Sequence, residues 1–264
     1  MSIFGIILLV IGLILFFVQK NYSTKLRSIR LATFSTIADL QEIANAIAGE
    51  IGNGNLREYV KVRGTIRCNR PLISELKQEP CVYYTMRVTR EFEETVRSTD
   101  SNGKSQTETR RGSETISSNT QSLPFQVQDS TGMITVVVDG GDIETVKVLD
   151  EFQREGSSTS ISFGSFNIST SSNFGDRRTL GYRYTESILP CDREVLVIGT
   201  AVDENGKLTL RKPIQSDRKM IVSLKSEEEL TKATANAAQG LFYGMVACLV
   251  IGFILLVVGL VLKT

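Results

Sequence analysis

The sequence predicts an α+β chain in which a β-rich body, an antiparallel sheet or barrel, follows an amphipathic helix and lies between two transmembrane helices. Both ends of the chain are apolar, and every charged residue except Lys263 lies between Gln19 and Gln239. After the first apolar run, apolar residues step by three or four positions, as in a helix, and beyond Tyr59 they alternate as in strands. The pattern indicates a polar body tied to a membrane at each end.

The N-terminal apolar run, residues 3–18, is about 25 Å long as a helix. A cleaved signal peptide is the alternative, because its apolar core is short. Such a peptide needs a basic start and a cleavage site of small residues. Here Met1 and Ser2 precede the run, and Phe16-Phe17-Val18-Gln19-Lys20 follows it. We therefore expect a retained transmembrane helix.

The C-terminal run, residues 240–262, contains no charge and is about 34 Å long as a helix, enough to cross a hydrocarbon core of about 30 Å. Ser226 and Glu229 fit a capping box, so we expect one helix over residues 227–262 that enters the membrane without a spacer. Glycines in both runs allow close helix approach, which leaves helix pairing or a homo-oligomer open. These glycines are Gly5, Gly12, Gly244, Gly252 and Gly259.

An amphipathic helix is predicted over residues 26–52. Its apolar positions share one helical face; they are Phe34, Ile37, Leu40, Ala44, Ile47 and Ile51. Two interpretations remain open for this face. It packs on the core of the body, or it lies on the membrane surface near the basic residues Lys25, Arg27 and Arg30.

Residues 59–225 are assigned to one β-rich domain, because many short segments have the alternation of strands. The segments are 59–66, 81–96, 125–129, 134–138, 146–149, 180–188, 194–202, 207–211 and 220–224. Two Ser/Thr-rich stretches, 98–122 and 155–176, are predicted to be mobile loops or protruding hairpins. The alternative for both is a flap that contacts a partner or the membrane. For the first stretch we predict a hairpin over residues 88–117.

The register of that hairpin follows from its turn. Asn102-Gly103 is a strong signal for a two-residue turn. With these residues at the centre, Arg97 lies opposite Glu108 and Glu94 lies opposite Arg111. Both pairs join opposite charges, which supports this register.

Composition excludes several classes of function. The chain has no histidine, four cysteines, and 30 Lys and Arg against 29 Asp and Glu. Without histidine there is no Ser-His-Asp or Cys-His nucleophile and no His-ligated zinc, and the balanced charge gives no field that attracts nucleic acid. We expect no catalytic residue, no cofactor, no metal and no nucleic-acid partner. Cys68, Cys81 and Cys191 are expected to be core thiols, with one disulfide in an oxidising compartment.

Six short motifs, taken in order, resemble those of the GIDE domain, also called "beside a membrane". They are Val62-Arg63-Gly64-Thr65-Ile66, Pro71-Leu72-Ile73-Ser74, Cys81-Val82-Tyr83-Tyr84, Phe125-Gln126-Val127-Gln128-Asp129-Ser130-Thr131-Gly132, Gly181-Tyr182-Arg183-Tyr184-Thr185-Glu186 and Val197-Ile198-Gly199. This domain belongs to the mitochondrial RING-type E3 ubiquitin ligase family. The resemblance covers roughly residues 59–230, and the two flanking apolar helices are similar to the family's layout.

Ligase chemistry in that family depends on a RING finger, which needs eight Cys or His ligands for two zinc ions. Four cysteines without histidine do not supply them. We therefore expect a two-pass membrane protein that binds a protein partner or cargo at the membrane surface, in organelle or membrane organisation, without catalysis of its own. The alternative is a subunit of a ligase-like complex whose catalytic part is supplied in trans. RING-less members look prokaryotic, so a prokaryotic cell membrane is the expected location.

The matched positions are interpreted mainly as structural. Glycines suit turns, bulges or close backbone approach, aspartate suits a turn, and tyrosines bury their rings. The positions are Gly64, Pro71, Cys81, Tyr83, Tyr84, Asp129, Gly132, Gly181, Tyr182, Glu186 and Gly199. Glu186 is the most interesting polar position: it is an exposed or paired strand residue, or it recognises a partner.

Basic residues near the membrane ends predict a cytoplasmic body with both termini outside. Those on the body side are Lys20, Lys25, Arg27, Arg30, Lys225 and Lys232, against Lys263 alone on the outer tails. The family resemblance implies the opposite side, because the mitochondrial ligases keep this domain in the intermembrane space.

Overall fold

The computed structural model of the 264-residue chain describes residues 2–99, 105–154, 160–163, 166–169, 177–204 and 206–261. The helices are α1 (Ser2–Leu31), α2 (Ile37–Ile51) and α3 (Glu227–Val261). The strands are β1 (Thr33–Phe34), β2 (Arg57–Arg67), β3 (Leu72–Ile73), β4 (Pro80–Thr99), β5 (Ser105–Ser122), β6 (Phe125–Gln128), β7 (Met133–Val136), β8 (Asp142–Ile143), β9 (Val146–Arg154), β10 (Ser160–Phe163), β11 (Phe166–Ser169), β12 (Arg177–Pro190), β13 (Glu194–Glu204), β14 (Lys207–Arg211) and β15 (Ile221–Ser223).

The chain folds as two compact units, whereas one domain over residues 59–225 is predicted. The first unit comprises residues 1–65, 127–143 and 194–264, and the second comprises residues 66–126 and 144–193. Alternation identifies a strand and its buried face, but it does not identify the sheet in which the strand pairs. This is why the sequence pattern does not reveal the division.

The first unit contains a closed barrel of five strands. The strand order is β2-β6-β7-β14-β13, and β13 pairs back onto β2. The β13 pairings with β14 and β2 are antiparallel, while β7 and β14 pair in parallel. The predicted barrel-like, β-rich body is therefore confirmed, although some of its pairs are parallel.

Two helices of the first unit, α1 and α3, are long and apolar enough to span a membrane, over Ile3–Leu31 and Glu227–Gly259. Only 11% and 6% of the most apolar 18-residue stretch of α1 and α3, respectively, is buried. This exposure suggests membrane association. The two helices pack against each other in antiparallel fashion. A Cβ at Gly5 would lie 2.9 Å from the carbonyl oxygen of Gly252, so these glycines permit the close approach.

The helix predicted over residues 26–52 is divided in the structure. Residues up to Leu31 belong to α1, then β1 pairs in parallel with β2, and α2 begins at Ile37. A capping box of Thr36 and Asp39 sets this start. A helical apolar period cannot reveal a two-residue strand that interrupts it.

The predicted apolar face of α2 packs on the body only in part. Ile37, Leu40 and Ala44 are buried, but Phe34 and Ile51 are exposed at 56% and 68%. Phe34 is exposed because it lies in β1 and not in the helix.

The second unit is an open sheet, a half-barrel, in the order β3-β4-β12-β9, with β5 also paired to β4. Its core is a cluster that includes Tyr84, Met86, Val88, Tyr184 and Ile188. A separate pair of strands, β10 and β11, forms an antiparallel hairpin. Residues 105–122 form the strand β5, so the prediction of a mobile loop there is wrong and that of a hairpin strand is confirmed.

The register of the β4–β5 hairpin changes at a β-bulge between Val88 and Thr89. Up to Val88 the partners follow the predicted register, with Val88 opposite Ser117. Beyond the bulge every pair is shifted by one residue, so Glu94 lies opposite Arg110 and the predicted pairs are wrong. The additional residue is Ile116, which packs against the core cluster of the second unit. The turn residues 102–103 lie outside the described residues.

Candidate functional site

Glu186 is a buried carboxylate at the centre of the second unit, with 1% of its surface exposed. It accepts hydrogen bonds from the Ser74 hydroxyl at 2.9 Å and from the backbone N–H groups of Leu76 and Lys77, each at 2.8 Å. Two motifs that are far apart in sequence therefore meet, because Ser74 ends one and Glu186 ends the other. A carboxylate in this position fixes the loop between β3 and β4.

Of the predicted roles of Glu186, that of an exposed strand residue is wrong, because the carboxylate is buried and hydrogen-bonded. Alternate residues of β12, Tyr182, Tyr184, Glu186 and Ile188, are buried, so Glu186 lies on the core face of the sheet. The period-two pattern of this motif is the signal that places it there. Ser74 lies in one of the six motifs, but no sequence pattern pairs it or the N–H groups of Leu76 and Lys77 with Glu186.

Asp129 and Thr131 satisfy the N-terminal backbone groups of α2. Asp129 accepts a hydrogen bond from the Ile37 N–H at 2.9 Å, and Thr131 Oγ1 accepts one from the Ala38 N–H at 3.0 Å. Asp129 also accepts from the Thr131 hydroxyl and from the N–H groups of Thr131 and Gly132. The motif Asp129 to Gly132 therefore attaches α2 to the barrel, beyond the turn role that the sequence predicts.

We expect the stability contributed by Asp129 to depend on pH. Burial alone raises the pKa of this carboxyl, but the hydrogen bonds from Ile37, Thr131 and Gly132 outweigh it and hold the pKa below its usual value. A lowered pKa stabilises the fold at pH values above the unfolded pKa, and this contribution is lost as pH falls through the folded value. Asp129→Asn should therefore cost about 1–3 kcal/mol near neutrality, and the difference from wild type should shrink below about pH 4 in thermal unfolding series. A difference that is constant down to pH 2 would contradict this.

Two of the motif glycines are required by close backbone contacts. A Cβ at Gly64 would collide with the carbonyl oxygen of Gln128, and one at Gly181 would collide with that of Gln153. Gly181 also adjoins a register shift in the β4–β12 pairing. Gly199 belongs to the same unit as Gly64, and a Cβ there would lie 3.0 Å from the Arg211 carbonyl oxygen. These positions therefore serve strand packing.

The remaining motif residues belong to the second unit and are largely buried. Tyr84, Tyr182 and Cys81 are buried, while Tyr83 and Pro71 are half-buried. Burial raises the pKa of the Cys81 thiol to about 12, so this cysteine is not a reactive thiolate at neutral pH. Within the described ranges there is no group of three His, Cys, Asp or Glu residues that is placed to hold a metal ion, and all four cysteines are free thiols.

Strand β5 is an edge strand of the sheet in the second unit, and β9 lies at the opposite edge. Strand β5 has 18 residues, about 60 Å of extended chain, and among the described residues it pairs only with β4. Its other edge presents backbone donors and acceptors. Proteins protect such edges with lysine, proline, other charged residues or a bulge; β5 has four charged residues and the bulge at Ile116, but no lysine or proline.

The sequence predicts a hairpin strand here, from the turn signal at 102–103 and the charge pairs, but it does not reveal an unpaired edge. Half of the residues of β5 are Ser or Thr, a composition that is also typical of loops, although Thr has a high strand propensity.

A model of the GIDE family, described as an E3 ubiquitin ligase, matches residues 93–259. This range includes β5, the last three of the six motifs and most of α3. The comparison with curated proteins and the comparison with solved structures each found no match. Since the family model covers more than half of the chain, the protein belongs to the GIDE family.

Proposed function

We propose that this protein crosses the membrane twice and that its GIDE-type domain binds an extended segment of a protein partner at the membrane surface, without catalysis of its own. The observation that carries the proposal is the open edge of β5. An extended peptide can add a strand to such an edge through main-chain hydrogen bonds.

The way in which the first unit is held supports a role at the membrane. Ile29 of α1 and Leu230 of α3 pack in one cluster with Tyr59, Ile198 and Ile221 of the barrel and its edge. Helix α3 then runs without a break into its apolar part. A barrel joined to its membrane helices by a packed core has little freedom to leave the surface, so its partners are those that reach the bilayer.

Lys61 and Glu227 strengthen this connection. Lys61 lies on β2, is 8% exposed, and forms an ion pair with Glu227 in the first turn of α3. The capping box predicted for this helix is present, with Glu229 N–H donating to Ser226 Oγ and Ser226 N–H donating to the Glu229 carboxylate. The start of the helix is thereby fixed relative to the barrel.

Photocrosslinking in intact membranes tests the proposal. A photoreactive residue at Thr109, an exposed position of β5, should trap a defined partner, whereas the same residue at Gln41, an exposed position of α2, should not. Trapping at Gln41 alone, or at neither position, would contradict binding at this edge.

Two adjacent proline substitutions provide a matched comparison. Neighbouring N–H groups of a strand point to opposite edges, so one of Thr109→Pro and Arg110→Pro removes an outward donor and the other removes a donor to β4. The variant that removes the outward donor should keep the thermal stability of the wild type and lose the partner. The variant that removes a donor to β4 should lose stability. Undiminished partner capture by both variants would overturn the proposed mode of binding.

A second candidate function follows from the family description, E3 ubiquitin ligase. In this case the protein is a subunit of a ligase-like complex whose catalytic part is supplied in trans. Supplied with E1, E2 and ubiquitin alone, the 264-residue chain should then form no conjugates and bind no stoichiometric zinc, and it should enter a ligase reaction only with its partner. Conjugates formed by the chain alone would refute both candidates in favour of intrinsic catalysis.

For a prokaryotic host, the proposal includes a cytoplasmic body, from the six basic residues beside the membrane ends. Cys68 and Cys191 are partly exposed and serve as reporters. A membrane-impermeant thiol reagent should leave them unlabelled in intact cells and label them after permeabilisation. Labelling in intact cells would place the body on the other side.

A further inference from the structure

A cleft of about 390 Å³ in the first unit has four cationic and two acidic residues among the twelve that line it. Its charged lining residues are Arg57, Asp203, Glu204, Arg211, Lys212 and Arg218. The cleft lies where the start of β2 and the ends of β13 and β14 meet the loop that follows β14. The exposed side chain of Ile214 belongs to the same loop.

Both carboxylates of the cleft are already engaged. Glu204 pairs with Arg211 at 2.7 Å, and Asp203 accepts from the backbone N–H groups of Gly54 at 3.0 Å and Gly206 at 2.8 Å. By contrast, Arg57, Lys212 and Arg218 form no ion pair with any residue that the structure describes. With four cations against two carboxylates, the cleft presents a net excess of positive charge.

One of these cations is held in place by its surroundings. The Arg218 guanidinium lies 5.1 Å from the centre of the Tyr59 ring, and the Tyr59 hydroxyl donates to the Lys219 carbonyl oxygen at 2.7 Å. The exposed Lys212 side chain places its ammonium near Gly140. A cation positioned like Arg218 loses little conformational freedom when an anion binds.

The loop from Lys212 to Lys219 lies against α1 just beyond its apolar run. The Lys219 backbone N–H donates to Ser28 Oγ at 3.0 Å, and its ammonium donates to Asn21. Asn21 is three residues after Val18, about 4.5 Å along the helix, whereas Ser28 is ten residues after it, about 15 Å. The Lys219 ammonium therefore reaches the level of a lipid headgroup layer about 5–8 Å thick, while the backbone at Lys219 lies beyond that layer.

Aromatic residues mark the same level on both helices. Phe16 and Phe17 are in contact on α1, with ring centres 5.6 Å apart, and Phe242 and Tyr243 are in contact on α3, at 5.9 Å. All four rings are exposed. Aromatic residues concentrate where a membrane helix leaves the hydrocarbon core.

We propose that this cleft binds the phosphate of an anionic phospholipid headgroup, with Arg57, Lys212 and Arg218 as its ligands and Ile214 entering the acyl boundary. The Lys219 ammonium at the level of the headgroups and the 87% exposure of Ile214 favour a lipid over an acidic peptide, which offers charge but no apolar boundary. The proposal does not depend on partner binding at β5.

Native mass spectrometry of the full chain, released from micelles that contain equal amounts of phosphatidylglycerol and phosphatidylcholine, tests this directly. The wild type should retain phosphatidylglycerol in preference. The double variant Arg57→Gln/Lys212→Gln should retain it roughly tenfold to thirtyfold less, because each basic residue near the headgroups contributes to the attraction. The control variant Lys77→Gln/Arg87→Gln, with two exposed cations of the second unit removed, should behave as wild type.

Two further measurements distinguish a lipid headgroup from a free phosphate as the bound anion. Ile214→Ser should lower phosphatidylglycerol retention without a change in thermal stability, and glycerol 3-phosphate should compete only weakly because it lacks acyl chains. Equal retention of the two lipids, equal losses in the test and control variants, or displacement of the lipid by polyglutamate or a short oligonucleotide at low concentration would each overturn the proposal.

Discussion

Glu186→Ala is expected to lower the free energy of unfolding of the second unit by about 3–5 kcal/mol. The substitution leaves three buried donors without their acceptor: the Ser74 hydroxyl and the N–H groups of Leu76 and Lys77. Since a domain is stable by about 5–15 kcal/mol, this loss brings the unit close to unfolding. Glu186→Gln should have a smaller effect, because its amide keeps one acceptor oxygen and turns an NH₂ group towards the donors.

Cys81 reports this change locally, because it is buried in the same core cluster as Tyr184 and Ile188. In a background with Cys68→Ser and Cys191→Ser, its labelling by a thiol reagent across a urea series measures the opening of the second unit. Glu151→Ala is the matched control, since Glu151 is an exposed residue of the neighbouring strand β9. Equal midpoints for the Glu186 and Glu151 variants would show that the buried carboxylate does not hold the loop.

Glu227→Gln is expected to destabilise the first unit by about 1–3 kcal/mol. Without its partner, the largely buried Lys61 ammonium keeps a hydrogen bond to the Ile29 carbonyl oxygen, at 3.4 Å, but has no anion beside it among the described residues. The effect is smaller than for a fully buried pair because the Glu227 side chain is 41% exposed. Adding Lys61→Met should restore part of the loss, since the unpaired charge is then removed.

A double-mutant cycle of Lys61→Met and Glu227→Gln, followed by thermal unfolding in detergent, measures the coupling between these residues. The control is Glu228→Gln, which removes an exposed charge from the same helical turn. Additive effects of the two substitutions would mean that the ion pair does not join α3 to the barrel.

The sequence predicts most strands and the two apolar helices, because burial on one face leaves a periodic pattern. It does not predict where pairing changes. At the bulge, the side chain of Ile116 packs against the core cluster, and the register of every β4–β5 pair beyond it is shifted by one residue. The two-residue strand β1 is equally invisible, because its formation depends on β2 and not on its own residues.

Among the candidate residues, the sequence identifies the positions but not the contacts that explain them. The alternation of β12 is sufficient to place Glu186 on the core face, yet its donors come from a loop more than a hundred residues away in sequence. Asp129 has the composition of a turn residue, and only the fold shows that it caps α2. The open edge of β5 depends on which strands are neighbours, a property that local patterns do not contain.

Hydrogen exchange of the full chain in nanodiscs, alone and with the partner that is trapped through Thr109, tests most directly whether the domain binds by strand addition. Strand addition predicts that amides along β5 exchange more slowly in the complex, while those of β9, the opposite edge of the same sheet, are unchanged. Protection confined to β9, to α2 or to the barrel, with β5 exchanging as in the free protein, would contradict the account.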